Sequence, residues 1–262
     1  MIERKIHYQL VAPLAATIGP EEPVRRQAFL NRHAAPGTLV QVVSAAAARG
    51  SIEGDWDATI AGPSIVEGIL GAEADGFDAA IVGCFSDPSL GAVREAVSIP
   101  VVGPGTSSIL MALQVGERIS VLTPGDNAGG RTRSFFRALG LEDRLASARG
   151  VGLSVVEMAE AAKAGTIGAH LKSVATAARR AVDDDGAEVL VLGCMSMAFL
   201  DPTEVIGAEV GVPVVNPVIA ALKAAEAQLA MGLSHSRRRW PRANPRPVIQ
   251  LASRNAETEE AI

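Results

Sequence analysis

The chain contains two cysteines, and each follows a glycine at the end of an apolar run. The first run, AAIVGC, ends at Cys84, and the second, EVLVLGC, ends at Cys194. Both runs have the composition of buried strands, which places each thiol at the carboxyl end of a strand. Two thiols that face one ligand from opposite sides can invert a carbon stereocentre, because one removes a proton while the other returns a proton to the opposite face.

Two simpler explanations of the cysteines are also open. A free cysteine often fills a core. The second explanation is a disulfide between Cys84 and Cys194. We expect this chain to be cytoplasmic, where thiols stay reduced, which argues against a disulfide. The sequence has neither a CxxC redox pair nor a close Cys/His cluster with zinc spacing. We therefore expect no metal and no cofactor.

The elements that would position the two thiols alternate along the chain. Apolar, β-branched runs are separated by alanine-rich helical stretches. This alternation predicts parallel sheets that are buried on both faces, and hence an α/β protein. The predicted strands are 6–13, 38–45, 79–84, 100–103, 118–124, 151–158, 188–194 and 213–217. The predicted helices lie near 20–33, 61–76, 88–97, 105–115, 129–140, 164–185, 202–210 and 217–232.

Three landmarks recur at a nearly constant spacing. Pro13 and Pro124 end matching runs 111 residues apart, the two cysteines are 110 apart, and IPVVGP and VPVVNP are 113 apart. The spacing predicts a duplicated unit, folded as two lobes related by a pseudo-twofold axis. We assign residues 1–115 and 213–262 to the first lobe, with a C-terminal helix and tail, and 116–212 to the second. Because ligands of parallel sheets bind beyond the carboxyl strand ends, the active site is expected in the interlobe cleft.

Each cysteine precedes an Asp–Pro pair that can start a helix. Asp87 and Pro88 suit the N-cap and first positions, so Cys84 is predicted near a helix N-terminus whose dipole favours the thiolate. Asp201 and Pro202 form a second such start at a greater distance from its cysteine, where the effect is expected to be weaker. Plain helix capping is the alternative explanation of both aspartates.

Composition and charge argue against several other function classes. Hydrophobic residues make up 48% and charged residues 20% of the 262 residues, as in soluble globular proteins. The net charge of −5 gives no support for binding nucleic acid or an acidic membrane surface. No apolar run approaches the ~18 residues that span a bilayer. The apolar N-terminus is interpreted as a strand rather than a signal peptide, so we expect a cytoplasmic protein whose partner is a small molecule.

The end of the sequence has a different composition. The segment 235–247 is basic and rich in proline. Because the rest of the chain is acidic, this segment favours an extended tail over the first lobe, or an oligomer contact, over a nucleic-acid site. Residues 255–262 are expected to be disordered.

Several segments resemble the aspartate/glutamate/hydantoin racemase superfamily, most closely its hydantoin and allantoin racemase branch. The two cysteine motifs, GCFSDPSL and VLGCMSMA, are similar to those of the superfamily in order and spacing. The Ser-Ile-Glu-Gly stretch at 51–54 points to the branch. The segment GVPVVNPVIAALKAAEAQLAMGLSHS is similar to the closing strand and helix of that branch.

The resemblance implies a fold of two flavodoxin-like lobes, often assembled into homo-oligomers, and a racemase or epimerase that works without a cofactor. It implies that Cys84 and Cys194 are the catalytic acid/base pair. The implied substrate is a 5-substituted hydantoin or a related amino-acid derivative. The implied substrate-binding residues are Pro13 and Thr123 at the ends of two strands, together with Phe85, Ser86, Met195 and Ser196, whose amides follow the cysteines.

The chain departs from the branch at three of these positions and at the two neighbours of Pro13. Ala12 and Leu14 replace two asparagines, Ser86 and Ser196 replace glycines, and Met195 stands where alanine is common. These changes predict a pocket reshaped for a different or more apolar substrate.

Other functions compete with racemisation. Within the superfamily, a cysteine also drives cis–trans isomerisation of maleate or decarboxylation of substituted malonates, although the decarboxylases lack the first cysteine. A ligand-binding protein built from two α/β lobes is the alternative from another class. Fast thiol alkylation near neutral pH would argue against that alternative.

Overall fold

The computed structural model describes residues 3–44, 50–154, 157–158, 160 and 167–243. In this part of the chain the strands form two four-stranded parallel sheets with helices between successive strands. The α/β class and the two-lobe architecture predicted from the sequence are confirmed. No helix in the described ranges combines the length and apolar character needed to cross a bilayer.

The first sheet contains β1 (Arg4–Leu10), β2 (Thr38–Ser44), β3 (Ala79–Gly83) and β4 (Val101–Val102), in the order β2-β1-β3-β4. The helices of this part are α1 (Leu14–Thr17), α2 (Glu21–His33), α3 (Asp55–Ala74), α4 (Leu90–Ala96) and α5 (Pro104–Ala112). All five residues of β3 are buried. Strands β1 and β3 end together, with Leu10 opposite Gly83. The residue after Gly83 therefore emerges at the carboxyl edge of the sheet.

The second sheet repeats this arrangement. It contains β5 (Ile119–Thr123), β6 (Leu145–Gly150), β7 (Val189–Leu192) and β8 (Val214–Val215), in the order β6-β5-β7-β8. The helices are α6 (Gly129–Ala138), α7 (Ile167–Asp183), α8 (Met195–Ala198), α9 (Thr203–Val210) and α10 (Pro217–Met231). Both sheets have the same strand order, which is the flavodoxin-like one. This agrees with the duplication inferred from the spacing of the landmarks.

One apolar core joins the two lobes. Buried side chains of β1 and β3, such as Ile6 and Ile81, belong to the same cluster as Val121 and Leu190 of β5 and β7. Helix α5 of the first lobe contacts β7 and β8. A smaller cluster around Ile65 lies between α3, β3 and α4. Because the main core is continuous, the carboxyl ends of β3 and β7 are held in a fixed relation to each other.

The chain crosses between the lobes near β8. Strand β8 pairs with β7, so the second sheet extends to Val215, beyond the boundary expected at residue 213. Helix α10 then returns to the first lobe and contacts α5 and β3. Its N-cap, Asn216, is buried and accepts hydrogen bonds from the amides of Val218 and Ile219.

The sixth strand was predicted at the wrong place. The described residues of 151–158 contain no strand, and β6 occupies Leu145–Gly150 instead. Strand β6 lies at the edge of its sheet, and all six of its residues are only half-buried. An edge strand of this kind needs no continuous apolar run, so the more apolar neighbouring segment misled the prediction.

The basic tail lies on the first lobe as far as the structure describes it. The Trp240 ring stacks on the Arg94 guanidinium of α4, with 4.8 Å between the guanidinium carbon and the ring centroid. The Arg237 guanidinium donates to the Arg94 carbonyl at 3.0 Å, and the Ala243 amide donates to the Glu95 carbonyl at 2.9 Å. This packing agrees with the interpretation of the segment as an extended tail. The end predicted to be disordered, 255–262, lies outside the described residues.

Candidate active site

Cys84 and Cys194 follow the central strands β3 and β7 of the two sheets, as the sequence predicts. The glycine before each cysteine is required by the close approach of the neighbouring strand. A Cβ at Gly83 would lie 2.5 Å from the Gln9 carbonyl oxygen, and a Cβ at Gly193 would lie 2.9 Å from that of Leu122. The glycine thus lets the chain leave the sheet at the end of each strand while it passes directly beside the adjacent strand.

Both cysteines are free thiols, so the disulfide alternative does not hold. Cys84 is half-buried, whereas Cys194 is buried. A negative charge on Cys194 raises the pKa of Cys84, which means that each sulfur lies within range of the charge on the other. Since one thiol comes from each lobe, the pair lies where the two lobes meet.

The surroundings of Cys84 mostly oppose ionisation. Burial is the largest cause, and it raises the pKa of this thiol. The Ser86 hydroxyl, 3.4 Å from the sulfur, and the Ser86 amide act in the opposite direction, while the Asp87 carboxylate raises the pKa further. Tyr8 is also close, because its ring lies 2.8 Å from the position of a Cβ at Gly83; burial, and to a smaller extent the charge of Cys84, raises the pKa of its phenol. Its hydroxyl is buried and has no hydrogen-bond partner in the described part of the chain.

The surroundings of Cys194 contain more groups that favour the thiolate. Burial is again the largest cause and leaves the pKa of this thiol raised, while the amides of Met197 and Ser196 face the sulfur and act in the opposite direction. The Arg26 guanidinium lowers it as well, and Glu53 raises it. Glu53 belongs to the Ser-Ile-Glu-Gly stretch and is exposed. Its effect on the thiol places this stretch near the second cysteine.

The helix starts near the cysteines differ from those predicted. Cys194 is itself the N-cap of the one-turn helix α8, which the sequence did not predict. The Asn216 side chain donates to the carbonyl of Ala198, the last residue of α8, at 2.9 Å and so ties this turn to the start of α10. Asp201 has a left-handed backbone, with φ of 55°, and α9 begins at Thr203 after Pro202. The helix N-terminus that adjoins a thiol is therefore at Cys194, where the weaker effect was expected, and not at Cys84.

Asp87 does not cap the helix that follows it, contrary to the prediction. Helix α4 begins only at Leu90, and Ser89 at its N-cap has a left-handed φ of 59°. The Asp87 carboxylate instead accepts hydrogen bonds at the start of α5, from the Gly105 amide at 2.9 Å, the Thr106 amide at 2.8 Å and the Thr106 hydroxyl at 2.6 Å. Burial outweighs these bonds and raises the pKa of Asp87 to about 6.

A buried ion pair of α2 lies beside the second cysteine motif and was missed by the sequence analysis. Arg26 and Glu22 are each 4% exposed, with the Arg26 Nε 2.8 Å from the Glu22 Oε1. Arg26 Nη2 also donates to the Ser196 Oγ at 3.0 Å, and its guanidinium lies over the Phe199 ring at 4.6 Å. The i,i+4 spacing of these charges on a helix is typical of a solvated ion pair, so the sequence carried no signal of their burial.

The other residues predicted to line the site occupy several environments. Pro13 is half-buried at the start of α1, and Thr123 is buried with its hydroxyl donating to the Gly125 carbonyl at 3.0 Å. The Phe85 side chain is buried against the Phe135 ring of α6, with 6.1 Å between centroids. The Met195 side chain is also buried. For Phe85 and Met195, only the backbone amides remain as proposed substrate contacts.

Comparison with known proteins extends this picture. A family model described as Asp/Glu/Hydantoin racemase matches residues 26–225. The chain belongs to this family. The resemblance inferred from the cysteine motifs is therefore confirmed, and so is the expectation of an enzyme of the isomerase class.

Relatives within the racemase family cover most of the chain. A hydantoin racemase of Paenarthrobacter aurescens is 33% identical over 204 residues, which is 78% of this chain and 84% of the relative. A hydantoin racemase of Pseudomonas sp. strain NS671 is 32% identical over 201 residues, 76% of this chain and 78% of the relative. The solved structure of an allantoin racemase from Klebsiella pneumoniae matches with a TM-score of 0.83 and 28% identity, over 93% of this chain and 95% of its own.

Proposed function

We propose that the protein is a cofactor-independent racemase or epimerase in which Cys84 and Cys194 transfer protons at an acidic carbon. The observation that carries the proposal is the pair of free thiols at equivalent strand ends of the two lobes, each within range of the other's charge. A substrate held between the lobes would meet one sulfur on each face. The family match supports racemisation as the reaction type.

The proposed reaction conserves protons and electrons. The thiolate of one cysteine takes the hydrogen of the acidic carbon as a proton, and the electron pair of the C–H bond moves into the adjacent carbonyl to give an enolate. The thiol of the other cysteine then gives its proton to the opposite face of the same carbon. The first cysteine ends as the thiol and the second as the thiolate, which is the arrangement needed to convert the opposite enantiomer.

The proposed substrate is a 5-substituted hydantoin or a related amino-acid derivative, because the relatives are named hydantoin and allantoin racemases. The amides of Phe85, Ser86, Met195 and Ser196 are proposed to bind its polar atoms, with Pro13 and Thr123 lining the cleft. Backbone N–H groups of this kind can stabilise the enolate oxygen.

The cellular and structural setting is proposed with the reaction. We propose that the protein acts in the cytoplasm as a homo-oligomer, with the first lobe completed by the returning C-terminal helix. Light scattering of the purified protein would give the number of subunits.

The test is proton exchange in D2O with single enantiomers of 5-substituted hydantoins, of allantoin, and of free aspartate and glutamate. Proton NMR reports loss of the signal from the reacting carbon, and circular dichroism reports loss of optical activity. The wild type is expected to exchange and invert at least one member of this panel. The Cys84→Ala and Cys194→Ala variants are each expected to lose inversion by about 100-fold or more.

The single variants also separate proton transfer from general damage. Each variant keeps one thiol, so exchange without inversion should survive for at most one enantiomer, and that enantiomer should differ between the two variants. Val115→Ala is the matched control, because Val115 is 51% exposed and lies in the connection before β5, at the amino edge of the second sheet and away from the carboxyl strand ends. Absence of exchange on every compound, from a folded protein with reactive thiols, would overturn the proposal and direct the search to maleate and substituted malonates.

A further inference from the structure

The two thiols lie in opposite electrostatic surroundings. Beside Cys194 is the Arg26 guanidinium, which is bonded to Ser196, two residues further along the chain. Beside Cys84 is the buried carboxylate of Asp87, three residues further along the chain. The backbone amide of Asp87 donates to the Cys84 carbonyl at 3.2 Å. A cation favours a nearby thiolate, and an anion opposes one. The duplicated strand ends therefore carry unlike charges.

We propose that Arg26 fixes which of the two thiols ionises first: it favours the thiolate at Cys194, while Cys84, beside Asp87, keeps its proton to higher pH. This inference rests on the proposed two-thiol reaction and assigns the resting roles within it. Arg26 acts through its charge and through its bond to Ser196, so it is a positioning residue. No contact between Arg26 and the substrate is needed.

Burial decides which charges near Cys194 matter most. Arg26 is almost fully buried, so water screens its field weakly, whereas Glu53, the carboxylate that opposes it, is exposed and its field is screened. The carboxylate paired with Arg26, Glu22, is shared with Arg25, whose Nε and Nη2 donate to it at 2.8 and 2.7 Å. The cluster of two guanidiniums and one carboxylate thus keeps a net positive charge beside the second cysteine motif.

Arg26 also links the two lobes beside the second cysteine motif. Burial is the main cause that raises the pKa of the Tyr8 phenol, and the charges of Arg26 and Cys84 act on it in opposite directions. Arg26 belongs to α2 of the first lobe, but its hydrogen bond to Ser196 reaches the second lobe. Packing alone would be satisfied by an apolar side chain on Phe199. The guanidinium instead carries its charge to the residue beside the Cys194 helix turn.

The experiment measures thiolate formation directly. Single-cysteine proteins, Cys84→Ser and Cys194→Ser, are titrated by the ultraviolet absorbance of the thiolate, which needs no reagent to enter the site. We expect the Cys194 thiolate to form at lower pH than the Cys84 thiolate. Arg26→Met is expected to raise the Cys194 midpoint by about one pH unit, which lowers the thiolate population below the midpoint about tenfold.

Two further variants keep the test decisive. Arg26→Lys retains a positive charge and should recover part of the shift, which a purely structural role would not explain. Arg25→Met removes the other guanidinium that contacts Glu22. The midpoint pH of the Cys194 titration is expected to shift less in this variant than in Arg26→Met. The buried Glu22 retains one guanidinium partner in each variant, so folding of the Arg26 variants is favoured; if Arg26→Met still fails to fold, Arg26→Lys and the two single-cysteine proteins decide.

The outcomes separate this inference from the proposed function. If Cys84 ionises at lower pH than Cys194, or if Arg26→Met leaves the Cys194 midpoint unchanged, the inference is overturned even when the wild type racemises its substrate. If the Cys194 midpoint depends on Arg26 but no compound of the panel is exchanged, the assignment of the resting thiolate stands and the proposed function fails. Both measurements use the same preparations of the full chain.

Discussion

Asp87→Asn is expected to gain stability relative to the wild type as the pH rises. The Asp87 carboxyl has its pKa raised from the ordinary 3.8 to about 6, chiefly by burial. A group whose pKa is higher in the folded state than in the unfolded state contributes stability that is complete below the unfolded value and is lost as the pH rises through the folded value. Asparagine cannot ionise, so the variant avoids that loss.

The magnitude follows from the two pKa values. The difference between 3.8 and about 6 corresponds to about 3 kcal/mol in the free energy of unfolding. A separate loss does not depend on pH, because the asparagine NH2 must face one of the N–H donors at Gly105 or Thr106. One unsatisfied buried donor costs about 1–3 kcal/mol. The variant should therefore be less stable than the wild type in acid and recover the difference, or exceed it, at neutral pH.

Urea unfolding of both proteins, across a pH series that brackets the Asp87 pKa of about 6, measures this difference. Thr106→Val is the matched control, since it removes the 2.6 Å hydroxyl bond but keeps the titrating carboxyl. Because the Thr106 hydroxyl bond lowers the pKa of Asp87, this control should keep the pH dependence of the wild type and shift it to higher pH, whereas Asp87→Asn abolishes it. A gap between Asp87→Asn and the wild type that stays constant over the series would refute the reasoning, because burial would then not have raised the pKa. Asp87→Asn should also lower the pH at which the Cys84 thiolate forms.

Two further predictions concern packing. Gly105→Ala should lower the free energy of unfolding by about 1–3 kcal/mol or more, measured in urea, because the new Cβ would lie 2.0 Å from the Phe85 carbonyl oxygen. Trp240→Ala should detach the tail from α4, because it removes stacking on the partly buried Arg94 guanidinium, about 1–2 kcal/mol. Trypsin cleavage in the tail should then become roughly fivefold to thirtyfold faster.

Each of these variants has a partner that should behave differently. Gly71→Ala changes a glycine inside α3 that has no atom within 4 Å of the new Cβ, and it should raise the free energy of unfolding by about 0.5–1 kcal/mol. Equal effects at Gly105 and Gly71 would count against the steric argument. Trp56→Ala should leave tail cleavage unchanged. If Trp240→Ala also leaves it unchanged, the tail is held by its backbone and Arg237 bonds instead.

Much of the fold followed from the apolar runs. Seven of the eight predicted strands overlap the observed ones, and both cysteines lie where the ends of 79–84 and 188–194 predicted them. The two strands that precede the cysteines, β3 and β7, are buried on both faces, so their sequences are nearly continuous in Val, Ile, Leu and Ala. The exception, β6 at Leu145–Gly150, is a half-buried edge strand whose position is set by pairing with β5 and not by its own composition.

Details of the candidate site depended on contacts between distant segments. Asp87 matches a local helix cap in sequence, but its partners are 18 and 19 residues away, at the start of α5. Arg26 is separated from Ser196 by 170 residues. Nothing local distinguishes such residues from exposed charges on a helix, because their burial is decided by the way the two lobes pack. A short helix that begins at Cys194 is equally hard to predict, since one turn has little periodicity.

The return of α10 to the first lobe has a consequence for biosynthesis. The strands of the first sheet leave the ribosome before any part of the second sheet, but the helix that packs on β3 and α5 is made after β8. Domains generally fold as units, with the N-terminal one first. Here the earlier lobe remains uncovered on one side until the later lobe has been synthesised. A nascent chain that ends before Pro217 would expose the surface that Leu222 and Ala225 bury, so the two lobes complete their folding together.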